Sequence, residues 1–343
     1  EQLSSSLLAH YANLEAEGTR KLAYRDETIK TLCAQLFHAL SFLHSLGITH
    51  CDVKPGTIGI ATDAIVRWLL DHGQGLFDAV NALILGMAEL CEQILSAPAP
   101  WVLAILMAAL GLWRVSAGFA LLTLLGLNLV LVMELWDPMI STLALVLAAS
   151  LLALLIGLPL GVLAARQTIL WQITRPVLDL MQTMPAFVYL IPAVMLFSTG
   201  AVPSILATLI FSMPPVVRLT VLGIRQVPAD LMEAGRSFGC SELQLLRKVQ
   251  LPSALPTVMT GVNQTIMLAL SMVVIASMIG GGGLGDVVLR GIQQLNIGLG
   301  FEGGLAVVIL AVILDRLTQS FTTPPSTSLP DRFRGFLDLW RVR

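Results

Sequence analysis

The sequence predicts an all-α membrane protein with about seven transmembrane helices, and three observations predict it. Of 343 residues, 56% are hydrophobic and only 12% charged, where soluble domains average about 25% charged; mean hydropathy is +0.82. Apolar stretches near 97–113, 117–134, 139–164, 184–200, 203–223, 255–280 and 301–320 approach the roughly 20 residues needed to cross hydrocarbon. Basic residues, finally, collect in alternate loops.

That third observation orients the chain, because cytoplasmic loops carry the Lys/Arg excess. With residues 1–96 outside, the inner loops hold Arg114; Arg166 and Arg175; Arg225, Arg236, Arg247 and Lys248; and a tail with Arg332, Arg334, Arg341 and Arg343. The outer loops carry Glu134, Asp137, Asp286 and Glu302 against Arg290. Arg218 and Arg316 lie near inner span ends, where they can snorkel. Only Arg114-Val-Ser separates the first two stretches, which read as a tight helical hairpin. Pro185, Pro192, Pro203, Pro214 and Pro215 fall in the spans, a placement membrane helices tolerate.

Between two apolar stretches lies a polar loop, Glu233-Ala-Gly-Arg-Ser-Phe-Gly239, nine residues, then Val249-Gln-Leu-Pro252. Glu233 is expected to open a helix, where an acid suits the helix dipole. A second helix, Ser241 to Gln250, is expected to stop at Leu251-Pro252. Small residues at Ala234, Gly235 and Gly239 permit close approach of a partner, and Phe238 supplies an apolar anchor. The string resembles the EAA loop of ABC importer permeases (E-A-A, three residues, G, nine residues, I, one residue, L-P). Gly235 stands for the second Ala and Val249 for Ile. The resemblance implies an ATPase-coupling role for Glu233, Ala234, Gly235, Phe238, Gly239, Val249, Leu251 and Pro252.

From about Ile65 to Gln319 the chain resembles the permease subunit of glycine betaine/proline betaine importers. Leu180-Met-Gln-Thr-Met-Pro-Ala-Phe-Val-Tyr-Leu-Ile-Pro192, Gln226-Val-Pro-Ala-Asp230, Asn263 to Met278 and Asp315-Arg-Leu-Thr-Gln319 carry the likeness. It implies an ABC importer type I (MetI-like) permease core, multi-pass in the bacterial inner membrane. It implies as partners a homodimer mate, a separate ABC ATPase, an extracytoplasmic betaine-binding protein and membrane lipid. With only residues 323–343 after the last span, the receptor is expected on another chain. The aromatic cage for a quaternary ammonium belongs to that receptor. A permease for another small solute, such as choline or an amino acid, is the alternative.

Polar residues inside a span mark a pathway or bond helices together. Asn263, Gln264 and Thr265, with Tyr189 on the proline-flanked span, are the translocation candidates, and interhelical bonding is the competing role. Ser271 and Ser277 could simply bond back to their own helix. Gly280-Gly-Gly-Gly283-Leu-Gly285 lies at an outer boundary with no preceding strand and reads as a tight re-entrant or hinge segment, not a nucleotide cradle.

No cofactor, metal site or nucleic-acid partner is expected. The sequence has no G-x-x-x-x-G-K-[ST] string for ATP hydrolysis, and Cys33, Cys51, Cys91 and Cys240 lack metal-ligand spacing and read as free thiols. No basic start followed by an apolar run marks a cleavable leader. Residues 61–96 read as an amphipathic extracytoplasmic segment, 97–322 as the transmembrane domain and 323–343 as a cytoplasmic tail.

Residues 1–60 differ in kind. His50-Cys-Asp-Val-Lys-Pro55 resembles a protein kinase catalytic loop, with Asp52 at the base position and Lys54 at the phosphate-contacting one. Cys51 replaces Arg, and Thr57 stands where the metal-binding Asn belongs. Asp71-His-Gly73 has the spacing of D-F-G without its Phe. No glycine-rich loop or strand lysine precedes His50, so this segment reads as a kinase-like remnant, and a membrane-tethered kinase using Asp52 is a minor rival.

The orientation has a direct check. A cysteine placed at Ser237, or Cys240 itself, should react with a membrane-impermeant maleimide only from the cytosolic side of vesicles.

Overall fold

The computed structural model describes the backbone of residues 55–322 and the side chains of residues 73–321. The kinase-like string through Lys54 and the tail 323–343 lie outside the described residues. The chain divides into units Glu1–Arg67 and Trp68–Arg343. Every regular element among the described residues is helical: α1 Pro55–Ser96, α2 Pro100–Arg114, α3 Ala117–Val132, α4 Trp136–Arg166, α5 Thr168–Thr183, α6 Ala186–Phe197, α7 Ala201–Arg225, α8 Ala229–Ser237, α9 Glu242–Leu245, α10 Leu251–Ala276, α11 Gly283–Gln293 and α12 Ile297–Thr322.

Three long helices, α4, α7 and α10, make the centre, and small residues bring them together. A Cβ at Gly161 of α4 would lie 2.7 Å from Thr220 Cβ of α7, and one at Gly261 of α10 would lie 3.1 Å from Leu219 Cβ of α7. Lipid tails are as apolar as leucine, so van der Waals contact between close backbones is what holds such helices. Along these three helices Val146, Ile205, Val216, Met272 and Val273 are fully or almost fully buried. α12 closes one flank, burying Leu310 and Ile313.

Three of the seven expected spans need correction. Five helical stretches are long and apolar enough to cross: Gly73–Ser96, Trp136–Arg166, Ala201–Arg225, Glu242–Ile279 and Ile297–Phe321. A sixth crossing arises only if α5 and α6, bent by 101°, count as one. The expected span at 184–200 is therefore a 12-residue helix, about 18 Å long at 1.5 Å per residue. Pro185 explains the break, since the residue before a proline is driven out of the helical region and Met184 is extended at ψ 137°. Likewise α2 and α3, at 15 and 16 residues, reach about 22–24 Å against a core of about 30 Å.

Arg114 at the hairpin tip donates from Nη2 to Ser320 O (3.0 Å) and lies 4.5 Å from the Phe321 ring centroid. The tip thus stands level with the C-terminal end of α12. At the opposite end, Phe77 of α1 meets Phe197 edge-on with ring centroids 5.5 Å apart, and Ser141 Oγ donates to Glu92 at 2.9 Å. Both partners belong to the end of the bundle where α4 starts and α6 finishes. α1 is long enough to span, yet between Phe77 and Glu92 it crosses that end, with Ile84 and Ala88 buried against it.

The glycine run at 280–285 makes the turn between α10 and α11. Gly283 has φ +72°, and a Cβ there would sit 2.3 Å from Thr142 Oγ1, the atom that accepts Leu284 N at 2.7 Å. Gly283→Ala therefore combines left-handed strain of about 1–2 kcal/mol with a clash. A fall of about 2–5 kcal/mol in unfolding free energy, measured by denaturant titration of the detergent-solubilised protein, is the expected outcome.

Candidate functional site

The polar loop is anchored at its base. Arg225, the last residue of α7, donates from Nη2 to Ala164 O (3.0 Å) and from Nε to Ala165 O (3.3 Å), and its guanidinium lies 5.5 Å from the Trp171 ring centroid. A cation at the exposed carbonyls of a helix end is favourable, so the ends of α4 and α7 are clasped where the loop leaves the bundle.

From there Pro228 caps α8, which starts at Ala229. Asp230 is the first-turn acid, and Glu233 sits a full turn further in, exposed. The expectation that Glu233 opens the helix is therefore wrong, and the dipole does not account for it. The helix ends where Gly239 turns left-handed (φ +76°) and Cys240 N bonds Gly235 O at 3.1 Å. Ser241 and Gln244 then form a capping box, with Ser241 N on Gln244 Oε1 at 2.9 Å and Gln244 N on Ser241 Oγ at 3.4 Å.

The second expected helix does not stop at Leu251-Pro252. A five-residue π turn, Leu246–Gln250, joins α9 to α10, with Leu251 N bonded to Leu246 O. A proline ring clashes with the carbonyl four residues back in a regular helix, and the wider turn lets Pro252 enter α10 without breaking it. Loop and span become one continuous helical body, Glu242–Ile279. Leu246 is buried with Ile224, Ala254 and Val258, so loop, α7 and α10 share one apolar contact.

Gly235 is the buried residue of α8. A Cβ there would lie 2.6 Å from Leu245 Cδ1 and 3.5 Å from Val249 Cγ2. This crowding explains why glycine occupies the second-Ala position: α8 lies flat on α9 and the π turn. Leu231 and Ala234 of α8, Phe238 just past its end and Leu243 of α9 are exposed, Phe238 at 88%. The Arg236–Glu242 pair (3.4 Å) is mostly solvated and contributes little.

The four polar span candidates divide. Tyr189 donates to Met181 O, lies edge-on to Phe211 and is buried. Asn263 donates to Asp315 Oδ1 at 3.4 Å and accepts from Thr318 Oγ1, joining α10 to α12. Thr265 is wholly buried without a hydrogen-bond partner. Gln264 faces outward. Ser253, Thr260 and Ser271 are also exposed, and spacings of 7, 4 and 7 put all four on one line along α10. Thr260 and Ser271 satisfy themselves on Pro256 O and Met267 O at 3.0 and 3.1 Å.

Two polar groupings were missed. Gln319 Nε2 adds a 2.6 Å bond to Asp315, completing a cluster within Asp315-Arg-Leu-Thr-Gln319. Arg218, expected to snorkel, is instead ion-paired with Asp179 of α5. Asp179 lies outside the expected spans and Arg218 inside one, and their 39-residue separation hid the pairing.

Residues 157–322 match the family described as the binding-protein-dependent transport system inner membrane component. The chain is 53% identical over 257 residues to the glycine betaine/proline betaine transport system permease protein ProW of Escherichia coli, covering 74% of this chain and 72% of that one. It is 46% identical to the glycine betaine transport system permease protein OpuAB of Bacillus subtilis (75% and 92% covered). It is 47% identical to the glycine betaine/carnitine transport permease protein GbuB of Listeria monocytogenes (76% and 96% covered). An inward-facing MetNI methionine ABC transporter structure aligns with 54% of this chain and 94% of its own, at 23% identity and a TM-score of 0.49. The chain belongs to this family of transport permeases: it is a multi-pass inner-membrane component that works with binding-protein and ATPase partners, and not an enzyme.

The packing under α8 yields a graded outcome. Gly235→Ala puts a methyl 2.6 Å from Cδ1 of the fully buried Leu245 and should cost about 1 kcal/mol. Gly235→Val adds a branched side chain against Leu245 and Val249 and should cost about 1–3 kcal/mol, read as faster amide hydrogen exchange confined to 229–250.

Proposed function

We propose that this chain is the translocating subunit of an ATP-driven importer for glycine betaine, proline betaine or a related quaternary ammonium osmoprotectant. The substrate class rests on the relatives at about half identity. The coupling role rests on one observation, an 88% exposed Phe238 on a helix locked to a span.

The eight loop residues then divide the work. Phe238, with Ala234 and Glu233, faces the ATPase and enters its groove; Gly235 lets α8 lie flat; Gly239 makes the turn; Val249, Leu251 and Pro252 carry the loop into α10. When ATP closes the ATPase pair, α8 moves as a rigid piece. Leu246 passes that displacement to Ile224 and Ala254, so α7 and α10 tilt together and the cavity turns outward. Hydrolysis reverses the motion.

The permease works as a homodimer. A polar line Ser253–Thr260–Gln264–Ser271 is unfavourable against lipid, so the second copy and a wet passage between the two cover it. Gln264 lines that passage, and Asn263, Thr265 and Tyr189 shape its wall from behind. The α1 stretch across the outer end is the extracytoplasmic segment beside which the receptor docks; 323–343 is a cytoplasmic tail. Lipid surrounds the remaining apolar faces.

In proteoliposomes holding permease, ATPase and binding protein, Gly239→Asp should abolish uptake while ATP hydrolysis persists; normal uptake would end the docking proposal. Phe238→Ala should weaken ATPase association by about 2 kcal/mol, roughly 30-fold. Competition among betaine, choline and amino acids for uptake tests the substrate class.

A further inference from the structure

Helix α5 has three distinct faces. Thr174 and Leu178 are buried against the bundle. Ile169, Ile173, Val177 and Leu180 are exposed and apolar, suited to lipid. Gln172, Arg175, Asp179 and Gln182 are exposed and polar on a third strip, spaced 3, 4 and 3 residues apart as one helix face requires. This third strip is suited to water and not to lipid.

On that strip Asp179 meets Arg218 of α7. The pair lies deeper than the loop end of α7: Arg218 precedes Arg225, the last residue of α7, by seven residues, about 10 Å along the axis. Its side chains remain 35% and 52% accessible, and the Arg218 Nε is buried without a partner. Arg218 therefore uses one side of its guanidinium on Asp179 and keeps a donor idle. A carboxylate prefers the two-pronged fork that such an arginine can offer.

We propose that Asp179 and Arg218 form an inner station for the zwitterionic substrate, resting on the betaine reading above. The substrate carboxylate takes the Arg218 guanidinium, its quaternary ammonium takes the Asp179 carboxylate, and the two side chains part. The exchange is non-covalent and leaves the site neutral. A bare cation would pair with Asp179 but take away the carboxylate that Arg218 already holds, so it gains one ion pair by losing another. The station thus favours molecules carrying both charges, and its opening frees α5 from α7 at that level, letting substrate pass inward.

The test measures equilibrium binding of labelled glycine betaine to the permease–ATPase complex in nanodiscs, without binding protein, with choline as competitor. Wild type should bind betaine saturably and choline about tenfold more weakly. Arg218→Gln should lower betaine affinity about tenfold and erase the preference over choline. Asp179→Asn should weaken both ligands. Arg218→Lys keeps the ion pair but loses the fork, so it should reduce betaine affinity and leave choline unchanged. It serves if the neutral variants fail to assemble, with ATPase rate as the assembly control. A mere clamp between α5 and α7 would lower complex yield and spare the betaine-to-choline ratio. No binding by wild type, or an unchanged ratio in Arg218→Gln or Arg218→Lys, overturns the station. Betaine uptake by the wild-type complete complex is run in parallel. Uptake without the binding differences defeats this inference alone, while absence of uptake defeats the betaine reading itself.

Discussion

In hydrocarbon, a polar group has to find its partner inside the protein, and the remaining architecture follows from that requirement. Backbone groups satisfy it by being helical. Side chains satisfy it across helices: Asn263, Asp315, Thr318 and Gln319 bond one another between α10 and α12. Each pairing fixes one helix against another at a chosen depth. Close approach at Gly161 and Gly261 supplies the rest of the cohesion, because burying apolar surface gains nothing in a medium that is itself apolar.

Rigidity at the cytoplasmic end has the same economy of parts. Arg225 clasps the ends of α4 and α7 through Ala164, Ala165 and Trp171, and the π turn at Leu246–Gln250 welds the loop into α10. A docking helix on a floppy tether could bind a partner without moving anything. Here Gly235 is pressed on Leu245 while Leu246 is buried beside Ile224, leaving little room to absorb displacement before it reaches two spans. Exposed Phe238 gains mechanical meaning from that backing.

Some of this was legible in the residues. Loop punctuation at Glu233–Gly239 and Val249–Pro252 located the knuckle, and apolar run lengths located α4, α7, α10 and α12, because both are local properties. Errors came where local signals compete. Pro185 reads as a tolerated kink inside an apolar run, yet it breaks α5 from α6 by 101°. Leu251-Pro252 reads as a helix stop, yet a widened turn carries the helix through. Glu233 reads as a cap because the true start, Ala229 behind Pro228, lies upstream of the family string.

What the chain alone settled was its solvent and its kinship, since hydropathy and motif spacing are written in residue order. Which side chains meet was decided in three dimensions. Nothing in the order of residues separates Gln264, facing outward, from Asn263, spent on Asp315, or joins Asp179 to an arginine 39 positions away. A helix turns 100° per residue, so neighbours in sequence face different worlds, and only packing assigns each its own.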